Sequence, residues 1–500
     1  MTGANRYKDI VSLQDAPHRS PRTGPPRIAI VGGGPGGLFT AWHLERLAAA
    51  PVEITIFEAT GRLGGKVFTP TFTAAPVSYE AGAAEFYDYS PVDDDPLRAV
   101  VAEFGLPTVP LAGSAVYVAG RRIANLDDVA DVLGPAARRE LVGFDTSARG
   151  AMTPREFYLS GSDHATAPAH ALERAPFAEM LAAIPSPAAR RYVEMMIHSD
   201  LATESPRTSL GYGLQNYLMN DPAYMRLYRL AGGNEQLITA LAQTIAAEVR
   251  LDVTITALGL GTTSGATSGA TRQLALSWTS GGQSRHDEFD IVILALPIGP
   301  LAALAVHDPS LAAALRRHVA HHDHPAHYLR ISMLLDRPVP QAPGHDDFLM
   351  VDAFGGACLY IETATHPTAT HGVVGWLVAG AAAAELATRS DDDLAAAASA
   401  ALPGPLAACR PHVLETRVHR WAGAVSGLPG GWAPLSVDRR HRPSPAHPNL
   451  FVVGDYLFDS TLNGVLDSAE HVADWVAAEL ACFDIDRPYT SRGCAAGDTR

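Results

Sequence analysis

The stretch IAIVGGGPGGLFTAWHLE, from Ile28 to Glu45, restricts the fold of this chain more than any other part of it. Four residues suited to a buried strand, Ile28 to Val31, run into a glycine-rich turn, and a helical pattern follows. Gly32, Gly34 and Gly37 fall at the G-x-G-x-x-G spacing. The first glycine permits a tight turn, the second lets a pyrophosphate approach the backbone, and the third lets the helix pack closely on the strand. A helix opening here turns unpaired N–H groups and the positive end of its dipole toward phosphate. A second strand, VEITIFE, closes on Glu58, whose carboxylate suits the two hydroxyls of an adenosine ribose. Strand, turn, helix and acid in this order predict a dinucleotide site rather than a bare glycine loop. The acid also disfavours a 2′-phosphate, so NADP is not expected there.

Glu58 alone does not separate NAD from FAD, because both carry the same adenosine end. Two further segments decide it. After Glu58 comes ATGRLGGKV, with Arg62, Gly64, Gly65 and Lys66, and near the C-terminus NLFVVGDYLFDSTLNGVLDSAEHVADWVAAEL reads as a strand ending in Gly454 and Asp455, a turn and a helix. In these motifs the chain resembles the flavin amine oxidase superfamily, which includes monoamine and polyamine oxidases, L-amino-acid oxidases and phytoene-type desaturases. LYRLAGGNEQLITALAQTI (227–245) and FDIVILALPIGPLAAL (289–304) resemble it as well. The resemblance implies FAD, held by these residues together with Gly82, Val253, Gly464 and Val465. It implies an α/β fold: a Rossmann-type FAD-binding domain with a discontinuous α+β substrate-binding domain. No second G-x-G-x-x-G follows another strand, so a separate NAD(P)H site is not visible.

Five hundred residues suggest two domains. Residues 1–26 and 483–500 read as disordered tails. Residues 27–95, 225–300 and 415–482 are assigned to the FAD-binding domain, and 96–224 and 301–414 to the substrate-binding domain. EVRLDVTITAL reads as one strand, and GTTSGATSGAT (261–271) as a solvated hairpin tip. A net charge of −15 argues against nucleic acid or an anionic membrane as partner. No apolar run is long enough to span a bilayer, and the polar start is not a secretory signal, so a cytoplasmic enzyme is expected. Cys358, Cys409, Cys482 and Cys494 show no C-x-x-C spacing. The histidine run HVAHHDHPAH (318–327) matches no standard zinc spacing, and no metal is assigned.

A flavin N5 accepts a hydride from a C–H bond, and an amine must be neutral before it can release one. In the amine oxidases a lysine beside N5 assists through a water. The matching strand here, HYLRISMLLDRPV, carries Arg330 at that place, and the chain's two lysines, Lys8 and Lys66, lie elsewhere. Arginine stays protonated and cannot be a base. Arg330 therefore stabilises an anionic reduced flavin, grips a substrate carboxylate, or ties down a structural carboxylate. In SYEAGAAEFYD, Glu85 stands where L-amino-acid oxidases place an arginine. It binds a substrate ammonium, acts as a base, or pairs with Arg330, and Glu80 reads as a structural partner. The two-tyrosine cage of monoamine oxidases is incomplete, since the corresponding positions fall near Thr461 and near Trp432, with Trp421 upstream. No cysteine lies between Arg417 and Asp455 to form a flavin thioether, so FAD is expected to be noncovalent. The polar and aromatic stretch 198–228, including Tyr212, offers further pocket residues.

These features lead to an FAD-dependent oxidoreductase that takes a hydride from a C–N or adjacent C–C bond of a small amine or amino-acid-derived substrate, with O2 or another electron acceptor. A desaturase or isomerase of a hydrophobic substrate is the alternative. A non-enzymatic binder like the Rab GDP-dissociation inhibitors is opposed by the complete set of flavin motifs.

Overall fold

The computed structural model describes residues 24–482 apart from 114, 160–173, 264–271, 341–345, 363–369, 429–434 and 459. Four short, mainly apolar strands and a fifth at the edge form a parallel sheet in the order Leu450–Val452, Ile291–Leu294, Arg27–Val31, Glu53–Phe57, Glu248–Arg250. Such strands are buried on both faces, and each face takes alternate residues. Ile28, Ile30, Ile56 and Ile293 meet the helices Pro35–Leu47 and Leu462–Cys482. Ala29, Val31, Phe57, Val292 and Leu294 meet Leu274, Leu276 and Trp278 of a four-stranded sheet on the other side. Three parts of the sequence distant from one another thus complete one nucleotide-binding layer.

EVRLDVTITAL is two strands rather than one. Glu248–Arg250 ends the parallel sheet and Thr254–Thr263 enters the four-stranded one. The break lies at Asp252, whose φ of 55° turns the chain so that the Val253 N–H reaches the Glu58 carbonyl at 2.9 Å. The hairpin tip expected at 261–271 falls for the most part outside the described residues. The strands on either side of it, Thr254–Thr263 and Arg272–Ser280, do pair antiparallel.

A seven-stranded sheet runs in the order Val413–Ser426, Pro325–Leu335, Gly372–Ala379, Ala357–Ile361, Phe348–Val351, Val116–Val118, Arg121–Ile123. Val413–Ser426 pairs with Pro325–Leu335 from Pro325 opposite Ser426 to Leu335 opposite Val413, so one strand of this sheet crosses the sequence-based division at 415. Alternation of side chains identifies a strand but not its partner. Helices Pro135–Ala151, Pro187–Leu201 and Leu210–Leu218 pack around Phe144, Phe177, Val193, Ile197 and Leu214.

Trp376 anchors the sheet that carries Arg330. It is fully buried, its indole N–H donates to the Ala398 carbonyl at 3.2 Å, and Phe354 meets it edge-on. Trp376→Ala is expected to cost about 3–5 kcal/mol, read as a lowered urea midpoint with an unchanged slope.

Candidate functional site

The glycine turn is tight where protein surrounds it and open where a ligand would lie. A Cβ on Gly32 would sit 2.3 Å from the Ala295 carbonyl oxygen, and one on Gly37 would sit 2.0 Å from that of Gly32. A Cβ on Gly34 would meet nothing nearer than the Gly65 Cα at 3.9 Å. Gly64 and Gly65 take φ values of 102° and 50°, which favour glycine, and the Gly64 N–H bonds the Gly33 carbonyl at 2.8 Å. Gly34 and Gly65 are in close contact, a Cβ on Gly65 standing 3.3 Å from the Gly34 Cα, and their missing side chains leave a gap over the turn rather than between them.

Glu58 is oriented beside this gap. Its Oε2 accepts the Gly33 N–H at 2.8 Å, and its Oε1 accepts the Thr60 N–H and hydroxyl at 2.9 and 2.7 Å. The Arg62 guanidinium donates to the Gly65 carbonyl at 2.7 Å and lies over the Phe68 ring. Lys66 Nζ donates to Asp455 Oδ2 and to the Ala424 carbonyl, both at 2.5 Å, which joins the second glycine segment to the C-terminal strand. Gly82 lets the chain pass Lys66, because a Cβ there would be 1.9 Å from the Lys66 carbonyl oxygen. A Cβ on Gly36 would stand 3.2–3.3 Å from Val453 and Val465, so the helices Pro35–Leu47 and Leu462–Cys482 begin side by side. Their paired N-termini favour an anion. Thr461 starts the second helix by accepting the Gly464 N–H on its hydroxyl and the Val465 N–H on its carbonyl.

Arg330 lies in a buried network that leaves its Nη1 without a hydrogen-bond partner. With 1% of its side chain exposed, it donates to Glu362 Oε1 at 2.9 Å and to the Glu80 carbonyl at 2.8 Å. Glu362 Oε2 accepts the Glu80 N–H, and the Glu80 carboxylate accepts from Thr69 and from the Asn234 N–H. Burial raises the Glu80 carboxyl to about 8. The ion pair of Arg330 is thus with Glu362 and not with Glu85.

Glu85 bonds instead to the Tyr360 hydroxyl, which donates to its Oε2 at 3.0 Å, and the Arg330 guanidinium lies 5.0 Å from the centre of the Tyr360 ring. Glu85, Tyr87, Asp200, Tyr212 and Tyr328 each keep some accessible surface. Yet burial is the first cause raising the pKa of Glu85, Tyr87, Asp200 and Tyr328. These groups act on one another and form one cluster of acids and tyrosines. Glu85 is raised to about 7, by burial and against the bond from Tyr360 and the charge of Arg330. Asp200 is raised well above the usual carboxylate range, by burial and then by Glu85. Asp455 also raises Tyr328, so the cluster lies within electrostatic reach of the Lys66–Asp455 pair.

Of the expected substrate residues, Tyr212 on helix Leu210–Leu218 keeps some accessible surface and acts on Tyr87 and Tyr328 of this cluster. Trp421 donates its indole N–H to the Ala81 carbonyl at 2.7 Å, and Thr461 is engaged at its helix start. Trp432 lies outside the described residues. Sequence reasoning did not single out Tyr87, Tyr328, Tyr360 or Glu362, and took in Asp200 only within the stretch 198–228. One signal was present for Asp200: an acid in the last turn of helix Pro187–Leu201 opposes the helix dipole. Among the described residues no group of three or more His, Cys, Asp or Glu could hold a metal ion. None of the described helices is long and apolar enough to cross a membrane.

The family described as flavin-containing amine oxidoreductase matches residues 35–477. Cyclohexylamine oxidase from Brevibacterium oxydans IH-35A superposes with a TM-score of 0.69 at 19% identity, covering 92% of this chain and all of that one. Putrescine oxidase bound to putrescine gives 0.68 at 18% identity, over 91% and 99% of the two chains. Prenylcysteine oxidase 1 of Mus musculus is 36% identical over 98 residues, 20% of this chain and 18% of that protein, so the likeness spans less than a fifth of that relative. From the match over 35–477 and the flavin-type cradle, the chain belongs to the flavin-containing amine oxidoreductases, a family of enzymes.

Proposed function

We propose that this enzyme binds FAD noncovalently and oxidises an amine that carries no carboxylate. The observation that supports this reading is the charge of the cluster. Glu85 and Asp200 both keep some accessible surface, while the Arg330 side chain is 1% exposed, with Glu362 and the Glu80 carbonyl on its Nη2 and its unpartnered Nη1 buried. A substrate carboxylate would meet like charge and find no exposed guanidinium. A cationic amine would find carboxylates and the faces and oxygens of Tyr87, Tyr212 and Tyr328.

Glu58 would hold the ribose, the Gly34–Gly65 gap and the two helix N-termini the pyrophosphate, and Lys66 with Asp455 the inner end. When bound, FAD supplies an acceptor for the hydride of the carbon beside nitrogen. Arg330 is a positioning residue, acting on Glu85 through its charge and through Tyr360. O2 or another acceptor would take up the electrons. The test is anaerobic: amines should bleach the visible flavin band, and bleaching by α-amino acids alone would overturn the reading.

Three outcomes follow from this assignment. Gly34→Ala should leave the apoprotein's melting temperature unchanged yet weaken FAD binding, whereas Gly37→Ala should destabilise the fold by about 1–3 kcal/mol or more. Glu58→Ala removes a charged acceptor worth about 1.5–3 kcal/mol net, so FAD affinity measured by fluorescence quenching should fall about tenfold to a hundredfold. For a cationic amine, kcat/KM should rise with pH through about 7, because Glu85, raised to about 7, is neutral below that value and charged above it. That limb belongs to the Glu85–Asp200 pair. Glu85→Gln should remove it, and Arg330→Met should move it upward, since the arginine's charge lowers Glu85. Arg330→Lys keeps the charge and should keep the limb near its original place.

A further inference from the structure

A cavity separate from the acid cluster opens beside helix Pro187–Leu201. Its volume of about 390 Å³ lies within the range of about 300–1,000 Å³ usual for small-ligand sites. Arg191, Glu194, Ile197, His198 and Leu201, spaced three and four residues apart, turn one face of the helix to it. Glu204, Gly355 and Ala381 reach it from three other parts of the chain. Neither Asp200, nor Glu85, nor any residue of the glycine cradle lines it, so a molecule held there is no hydride donor to the flavin.

Two acceptors converge on this cavity with no donor between them. His198 Nδ1 lies 2.8 Å from the Gly356 carbonyl, which can only accept. Nδ1 therefore carries the proton of the neutral ring, and Nε2 keeps a bare lone pair. Nε2 stands 3.8 Å from Glu204 Oε1, beyond direct hydrogen-bond reach. Both atoms face the same small space beside Gly380, where a Cβ would lie 2.6 Å from Glu204 Oε1 and 2.9 Å from His198 Nε2. Gly380 takes a φ of 63°, which favours glycine, and so leaves the two acceptors uncovered. Around them the charges do not balance. Arg191 donates to the Gly355 carbonyl at 2.8 Å, and the Ser205 hydroxyl donates to Glu194 at 3.4 Å. Two carboxylates against one guanidinium leave one negative charge in excess. A metal ion would need a third ligand, and no such group of three exists among the described residues.

We propose that this cavity binds a small aliphatic ammonium ion, a second site apart from the acid cluster, with N–H groups donating to His198 Nε2 and Glu204 Oε1. An ammonium brings three donors and one positive charge, which meet both acceptors and the excess charge together. Ile197 and Leu201, both buried, give its alkyl part an apolar wall. The proposal does not depend on what the acid cluster oxidises.

The test uses the FAD-loaded enzyme and tert-butylamine, which has no hydrogen on the carbon beside nitrogen and so cannot give up a hydride. Pivalate, of the same shape and opposite charge, is the matched control. In calorimetry at mildly alkaline pH, tert-butylamine should bind and pivalate should not. Glu204→Gln removes the charge but keeps an acceptor for the Ala381 N–H, which now bonds Glu204 Oε1 at 2.7 Å, and should weaken binding about tenfold to a hundredfold. Ala381→Trp, at an exposed position where the fold tolerates a large side chain, should close the cavity and abolish the same binding. Glu85→Gln should leave it in place. Binding that survives Glu204→Gln and Ala381→Trp but is lost in Glu85→Gln would put the ammonium at the acid cluster and overturn the proposal. Equal binding of pivalate by the wild-type enzyme would overturn it as well. So would no binding of tert-butylamine to the wild-type enzyme, which would leave a bridging water only between His198 and Glu204.

Discussion

A guanidinium removed from water needs a charged partner and hydrogen-bond acceptors, and the interior here is arranged around one that has both. Arg330 and Glu362 meet at 2.9 Å with 1% and 2% of their side chains exposed. A pair this deep costs several kcal/mol per ion in desolvation, and removing one member commonly costs about 3–5 kcal/mol. The same Arg330 donates to the backbone carbonyl of residue 80 while Glu362 accepts the N–H of that residue. One ion pair thus fixes both sides of a single residue, Glu80, from the strand Pro325–Leu335 and from the residue that follows the strand Ala357–Ile361. Gly82, which passes Lys66, and Glu85, which keeps some accessible surface, follow within five residues of that point. A buried charge pair therefore anchors the segment that joins the flavin-type cradle to the acid cluster.

The same segment shows how environment separates two acids of one type. Glu80 is surrounded by donors and is nevertheless raised to about 8, because its burial exceeds the help of Asn234 and Thr69. At neutral pH it then carries its proton, and the charge of Arg330 is matched by Glu362 alone. Glu85 has one donor, the Tyr360 hydroxyl, and is raised to about 7. Glu80 has no open surface, whereas Glu85 has some, so only Glu85 is placed to meet a ligand.

Much of the cradle was legible in the sequence because its constraints are local. A positive φ at Gly64, the contact of Gly37 with the Gly32 carbonyl and the closing acid Glu58 all act over a few tens of residues, and spacing records them. The acid cluster was less legible because its members meet only through the fold. Glu362 looks like the polar end of a strand until Arg330 is brought beside it, and Asp200 looks like a misplaced acid at a helix end until Glu85 acts on it. The pairing of Val413–Ser426 with Pro325–Leu335 was hidden for the same reason, since it joins segments about ninety residues apart. The three possible roles of Arg330 could not be ranked from a strand pattern, because the pattern does not name the carboxylate across from it.

The histidines near the site bear on what titrates there. His318 and His322 stack at 4.6 Å between ring centres, and His322 lies beside Tyr456, the residue after Asp455. Burial pushes His318 down to about 4 and His322 to about 2. His419 bonds Tyr79 and is lowered to about 4 by burial and then by the charges of Arg330 and Arg417. All three are neutral throughout the neutral range. No imidazolium among them competes with an entering ammonium for Glu85 and Asp200, and none contributes a titration near 7. The charge of Lys66 is met by Asp455 and that of Arg330 by Glu362. With these cations matched and these histidines silent, the acids are left to titrate near neutral pH, Glu80 at about 8 in the Arg330 network and the Glu85–Asp200 pair beside it, and Glu85→Gln separates the second from the first.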